Sequence, residues 1–326
     1  MDNTNIVSQI KKIYDAIPKT CLPIDYKLYY SNNHAKLLRI KKLLDDMDTN
    51  YFTKITFNEK ILDESTVSIV MTSSNRSVQT YFTLETISDS IYKNIQIILV
   101  DDSTTDQLDK EKLKEFGIHI DFIELKNKFW INPCVNYNIG FRHVKGGKII
   151  IQNAEVCHIG DVIKDVIDKV VDDNYYIYNV YALYGPVENN ELYDAKKNKI
   201  MDPQHVITIY GKWYQHPEHR PANLHFLTAI TAKTFEKITE FNVDYSIGIE
   251  FDDDDLVFRI IINNINIVNM SETIMGLHQW HCPSIANDRW NHISNCYLHI
   301  KKLEHFMQTG KIFNLTSTLN VIDTCL

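Results

Sequence analysis

The chain is poor in glycine, with ten in 326 residues, and has eight prolines. No Gly-x-Gly-x-x-Gly or Walker loop occurs, so no glycine-built cradle wraps a phosphate in backbone amides. No apolar run approaches the ~18 residues of a membrane-crossing helix. The N-terminus, MDNTNIVSQIKKIYDAI, lacks the basic-then-apolar order of a secretory signal, so a soluble cytoplasmic protein is expected. Six cysteines (Cys21, Cys134, Cys157, Cys282, Cys296 and Cys325) show no C-x-x-C spacing and are expected to be reduced thiols. Basic residues number 34 against 42 acidic, a net charge of −8, which disfavours nucleic acid as a partner.

What is present is apolar and β-branched. Hydrophobic residues make up 44% of the chain, enough for a large core. Val67-Ser-Ile-Val70 and Ile95-Gln-Ile-Ile-Leu-Val100 bracket a helical stretch carrying Tyr81, Leu84, Ile87 and Ile91, the pattern of a βαβ unit. IHIDFIEL and GKIIIQ continue the alternation, so a sheet is expected with ligands gathering where its strands stop. Those ends read Thr72-Ser-Ser-Asn-Arg76 and Asp101-Asp-Ser-Thr-Thr-Asp106. Without glycine loops, carboxylates and hydroxyls must hold any nucleotide there.

Residues 1–64 carry helical patterns (Ile6, Ile10, Ile13, Ile17; then Leu37 to Met47) and read as a helical N-terminal extension. Asp161 opens a helix whose stripe is Val162, Ile163, Val166, Ile167 and Val170. Gly211-Lys-Trp-Tyr-Gln-His-Pro-Glu-His-Arg-Pro221 reads as an irregular loop before a strand at Leu224-His-Phe226. Residues 290–326 read as one amphipathic helix, ended by Gly310, and an irregular tail. Glu250-Phe-Asp-Asp-Asp-Asp-Leu-Val-Phe-Arg259 opens a further helix; alone, four aspartates there could simply complement the helix dipole.

The order of pieces over residues 65 to about 282 resembles the inverting GT-A glycosyltransferases, especially family 2. VSIVMTSSNR is similar to that family's first strand and nucleotide loop, ILVDDSTTD to its second, and Tyr137-Asn-Ile-Gly140 to the segment before its metal strand. Asn153-Ala-Glu155 stands at the D-x-D position. Phe241-Asn-Val-Asp244, then Gly248 to Arg259, resembles G-F-D-E followed by E-D-x-D-L-x-x-R. The resemblance implies an α/β GT-A mixed sheet over 65–289 with helical ends, and a transferase moving a hexosyl or N-acetylhexosaminyl group from a UDP-sugar to an acceptor hydroxyl.

It also implies roles. Asp253 becomes the general base, with Asp252 beside it and Asp255 and Arg259 holding the helix start. Thr72, Ser74, Arg76, Asp101, Asp102, Asn138, Gln152, Asn153 and Glu155 face the nucleotide-sugar. Trp213, Tyr214, His216 and Arg220 supply donor-sugar or acceptor contacts. Glu155 and His278, with His281 as the fallback, hold a divalent ion that is manganese in preference to magnesium. Asn153 departs from the family's first aspartate, which weakens metal affinity and leaves open a noncatalytic sugar-nucleotide or glycan-binding module. A zinc site built from His278, His281, Cys282, Cys157 and His158 lacks standard spacing. A nucleotidyltransferase would need a Gly-rich basic loop that SSNRSVQT does not provide. Glycan, protein, lipid and small-molecule acceptors all fit, and nothing in the sequence decides the oligomeric state.

Overall fold

The computed structural model describes residues 3–17, 26–282, 289–313 and 315. Cys21, Cys325 and the tail expected beyond residue 315 lie outside them. The strands are β1 Phe52–Phe57, β2 Val67–Ser73, β3 Ile95–Asp101, β4 His119–Leu125, β5 Lys148–Asn153, β6 Val156–Ile159, β7 Asn174–Ile177, β8 Val180–Leu183, β9 Gly211–Gln215, β10 Leu227–Thr231, β11 Asn266–Asn269 and β12 Met275–His278. The helices are α1 Asn3–Ala16, α2 Tyr26–Asp46, α3 Ser77–Ser88, α4 Lys110–Glu115, α5 Cys134–Phe141, α6 Val162–Lys169, α7 Pro186–Lys197, α8 Pro203–Val206, α9 Ala232–Ile238, α10 Asp252–Ile262 and α11 Arg289–Thr309.

Eight strands form a mixed sheet in the order β1-β4-β3-β2-β5-β10-β7-β11, and four form a second sheet, β6-β12-β8-β9. Strands β4, β3, β2 and β5 are parallel, and β10 runs antiparallel to β5. Alternation sorts the central strands onto two cores. Ile69, Met71, Ile97 and Leu99 meet Leu84 and Ile87 of α3 and Val162 and Val166 of α6. Val70, Ile98, Val100 and Ile151 meet Val135 and Ile139 of α5, Leu43 of α2 and Leu256 of α10. The chain order reverses between β2 and β5, which opens a crevice at their carboxyl ends. Thr72 pairs with Asn153 there, so the nucleotide loop and the D-x-D equivalent stand side by side.

Several expectations are corrected. The N-terminal 64 residues are not all helical: residues 52–57 pair antiparallel with β4 and form an edge of the main sheet. Both helical ends also belong to the body, because Ile6 and Ile10 of α1, Phe258 of α10 and Leu303 of α11 share one apolar cluster. Ile91 is 73% exposed and off the α3 stripe. Asp161 accepts from the Ser90 hydroxyl at 2.6 Å and the Ile91 amide at 2.9 Å, turning the chain outward after α3. The loop at 211–221 begins as strand β9, since proline at 217 forbids a helix there but not a preceding strand; the strand expected at Leu224 starts at Leu227. Cys134, Cys157 and Cys282 are free, whereas the buried Cys296 is disulfide-bonded, against the expectation of reduced thiols throughout. Among the described residues no helix is long and apolar enough to cross a membrane.

Helix α5 lies close on β2 and β3 because Gly140 faces them: a Cβ there would stand 2.8 Å from Val70 Cγ1 and 3.3 Å from Val100 Cγ2. Gly140→Ala is expected to destabilise the protein by about 1–3 kcal/mol through overpacking, read as a lower urea midpoint at unchanged m-value.

Candidate active site

Two loops make the nucleotide side of the crevice. Asn75 sits at φ +53°, and its side-chain oxygen accepts from the amides of Thr104, Thr105 and Asp106 at 2.9, 2.8 and 3.1 Å. The Ser77 amide donates to Asp106 at 2.8 Å. Asparagine tolerates this left-handed backbone and so staples the β2 loop to the β3 loop. Thr72 and Arg76 stay part-exposed and Ser74 exposed above that staple. Asn75 was missed in the sequence, where only its turn-forming type could have marked it.

The two aspartates after β3 divide their work. Asp101 is 3% exposed, accepts from Ser103 at 2.6 Å, and has its pKa pushed up to about 6 by burial. Its described bonds support the loop. Asp102 is paired with Lys128 and accepts from Asn136 at 3.3 Å. Burial acts against its charge, but Lys128 outweighs it and the pKa is lowered. Its Oδ1 has no hydrogen-bond partner, an acceptor left available.

The third wall follows β5. Tyr137 donates to the Gln152 carbonyl at 2.8 Å and to the Asn153 side chain at 3.1 Å. Gln279, fully buried, donates to the Glu155 carbonyl at 3.1 Å and so fastens the end of β12 under Glu155. Glu155 is 2% exposed; its Oε1 lies 2.6 Å from Arg76 Nη1, 3.4 Å from His278 Nε2 and 3.6 Å from His281 Nε2. Burial disfavours the carboxylate, yet Arg76 first and then the two imidazoles hold it well below its usual range. Its Oε2 is buried without a partner. Ligand atoms of Glu155, His278 and His281 lie within 4.8 Å of one another. A carboxylate oxygen left over beside two imidazoles fits a divalent ion of the manganese to zinc range better than magnesium, which prefers oxygen alone.

Two expected nucleotide contacts are corrected. Gln152 is fully buried, bonding the Val156 carbonyl at 3.0 Å and His158 at 2.9 Å. Asn138 is 1% exposed and exchanges two 2.8 Å bonds with the Phe241 backbone. Both satisfy buried polar groups inside the fold. The aromatic loop also splits. Trp213 packs against Tyr181 on the far face of the small sheet, and buried His216 bonds Glu272 at 3.0 Å while its other nitrogen caps the turn at 218–219. Arg220 lies over Tyr214 at 4.7 Å, and Tyr214 touches the His278 ring at 4.7 Å. Tyr214 carries the contact to the site.

Opposite stands the start of α10. Glu250 and Phe251 take φ of +62° and +66°, a conformation that costs energy in non-glycine residues. Asn295 of α11 restrains this turn by donating to the Glu250 carbonyl at 2.9 Å. Asn132 donates to Asp252 at 2.9 Å. Arg259 bonds Asp255 at 2.8 Å, and Lys302 of α11, 1% exposed, lies 3.4 Å from Asp244 and 3.5 Å from Asp255. Asp252, by contrast, pairs with no cation among the described residues, and burial pushes its pKa up to about 6. Asp253 is raised well above the carboxylate range, by burial and then by Asp252 and Asp254. The Tyr214 phenol is raised by burial, with Glu155 and Asp253 adding to the rise and Arg220 and Arg76 opposing it, so both acids lie within electrostatic reach of this ring.

The model of glycosyl transferase family 2 matches residues 68–236, more than half of the sequence. The chain belongs to that family. Among solved structures, Staphylococcus aureus TarS residues 1–349 with UDP aligns at TM-score 0.51 and 11% identity, covering 76% of this chain and 67% of that one. The same protein with UDP-GlcNAc gives 0.50 and 12%, covering 67% and 60%. These identities speak to the fold alone, and the chain spans 37% of the longer TarS structure. No curated protein matches the sequence. The GT-A fold of this family accounts for the mixed sheet and the crevice at the β2–β5 switch. The family match ends before α10, so Asp253, Asn295 and Lys302 lie beyond it.

Lys302→Met is expected to leave Asp244 and Asp255 short of a buried cation and to cost about 3–5 kcal/mol of stability, read in urea unfolding.

Proposed function

We propose that this glycosyltransferase moves a sugar from a UDP-sugar to an acceptor hydroxyl with inversion, using Asp253 as general base. The observation that carries the reading is the cluster of Arg76, His278 and His281 on Glu155 at the β2–β5 switch, with Tyr214 against His278 and within electrostatic reach of Asp253, an acid about a hundred residues from Glu155 with the opposite electrostatic setting. A diphosphate needs a cationic, ion-binding wall; an acceptor hydroxyl needs a base across from it. Asp102 Oδ1 is suited to accept from a uracil N–H or ribose hydroxyl. Thr72, Ser74 and Arg76 line the diphosphate path.

Glu155, His278 and His281 would hold a divalent ion, which when bound neutralises charge on the departing diphosphate. Arg76 is the resident cation on Glu155 and can turn its guanidinium to phosphate. Asp253 receives the acceptor proton as the alcohol attacks from its side of the crevice. Burial among like charges makes it a stronger base than a solvated aspartate. The second reading, a noncatalytic module, is favoured by Asn153, whose side chain is tied to Tyr137.

Asp253→Asn is expected to lower single-turnover transfer by at least ~10²-fold. A carboxylate pKa raised on folding stabilises below the unfolded value and loses that contribution as pH rises through the folded value, so above that value the Asp253 carboxylate opposes folding. At alkaline pH the same variant should therefore raise Tm, giving a loss of activity with a gain of stability; full retained transfer would refute the assignment. For the wild type, kcat/KM is expected to fall on acidification at a pH well above the ~4 of a solvated carboxylate, because burial and the neighbouring aspartates raise the proton affinity of Asp253.

Glu155→Gln is expected to abolish manganese-dependent tightening of UDP binding in calorimetry while metal-free UDP binding persists. UDP binding without donor hydrolysis or transfer in the wild type would favour the module.

A further inference from the structure

Both faces of the small sheet are packed at its centre, Val156 and Val180 against the main core and Leu277 and Tyr181 on the other side, and the face that carries His278 opens to solvent only at its rim, at Lys212 and Tyr184. Its register is β12 to β8 through His278 and Ala182, and β8 to β9 through Ala182 and Lys212. Residues paired across neighbouring strands share a face, so His278, Ala182 and Lys212 stand in one row, with Tyr184 two residues farther on the same face. Cys157, Tyr181, Leu183 and Leu277 occupy the opposite, core-facing side.

Beyond Ala182 the chain exposes an aromatic pair. Tyr184 is 44% exposed and Tyr210 70%, with ring centroids 4.9 Å apart, and Lys212 Nζ sits 5.5 Å from the Tyr184 centroid. At the inner end Tyr214 contacts His278 at 4.7 Å. Strand spacing and rise place Tyr184 about 8 Å from His278 between Cα atoms.

We infer that Tyr210, Tyr184 and Lys212 form a distal subsite for an extended saccharide acceptor, gripping rings that lie away from the reacting hydroxyl. The inference rests on the transferase reading above. Tyrosine rings offer flat apolar area to a pyranose face with a hydroxyl at the rim, and Lys212 adds a donor to sugar oxygens. A peptide strand is a poorer occupant. The outer strand β9 carries exposed Lys212 and an irregular register at its Tyr214 end, features that discourage strand addition. Continuity with the crevice through Tyr214 points to the acceptor, since a docked protein would not need it.

The test measures cellohexaose, chitohexaose and maltohexaose against their monosaccharides by calorimetry, with UDP and manganese present. The expected result is that at least one hexasaccharide binds ~10-fold or more tighter than its monosaccharide, that the Tyr184→Ala/Tyr210→Ala double variant loses this advantage, and that Tyr210→Trp keeps it. Equal binding of long and short saccharides, no saccharide binding, or an unaltered double variant would overturn the subsite. Failure of wild-type protein to bind UDP would instead strike the transferase reading, so the two failures are distinguishable.

Discussion

Everything in the crevice depends on burying acid charge in two opposite ways. On the β5 side, Glu155 is nearly inaccessible and stays ionised because Arg76 and two imidazoles surround it. On the α10 side, Asp252 is buried and Asp253 half-buried beside further acids, and among the described residues no cation pairs with them, so their proton affinity rises. In low dielectric the difference between a paired and an unpaired carboxylate is large, and the fold spends stability to keep it. One wall is thereby built for anions and cations of a leaving group, the other for a proton.

The helical ends make that asymmetry possible. Lys302 and Asn295, both on α11, hold Asp255 and the strained turn at Glu250 and Phe251, while α1 closes over Phe258 and Leu303. With Asp255 and Asp244 sharing Lys302, and Arg259 tied to Asp255, the available cations are used beneath the helix start. Among the described residues Asp252 and Asp253 are left without one. The last helix is thus part of the site, although its residues lie outside the segment matched by the family model.

The apolar pattern made most of the sheet legible. VSIVM, IQIILV, IHIDFIEL and GKIIIQ became β2 to β5 because β-branched runs bounded by polar clusters have few other folds. Edge strands escaped it: β1, Phe-Thr-Lys-Ile-Thr-Phe, carries the exposed Lys54 and Ile55, and its strand state comes from pairing with β4. The acids were legible as acids, but their settings were not. Asp101 and Asp102 are adjacent and identical, yet one is capped by Ser103 and the other paired with Lys128. Gln152, Asn138, Trp213 and His216 looked like site residues because polar and aromatic side chains near a motif serve ligands and buried hydrogen bonding equally well.

Local chemistry written into the chain is enough to settle strand and helix types, the order of the motifs and the identity of the candidate acids, because periodicity and capping act over a few residues. Which acid keeps its proton, which histidines join Glu155, and which tyrosines meet beyond Ala182 were settled only when distant strands paired. Those properties belong to charge separation, burial and side-chain facing, which exist only once residues far apart in sequence share one volume.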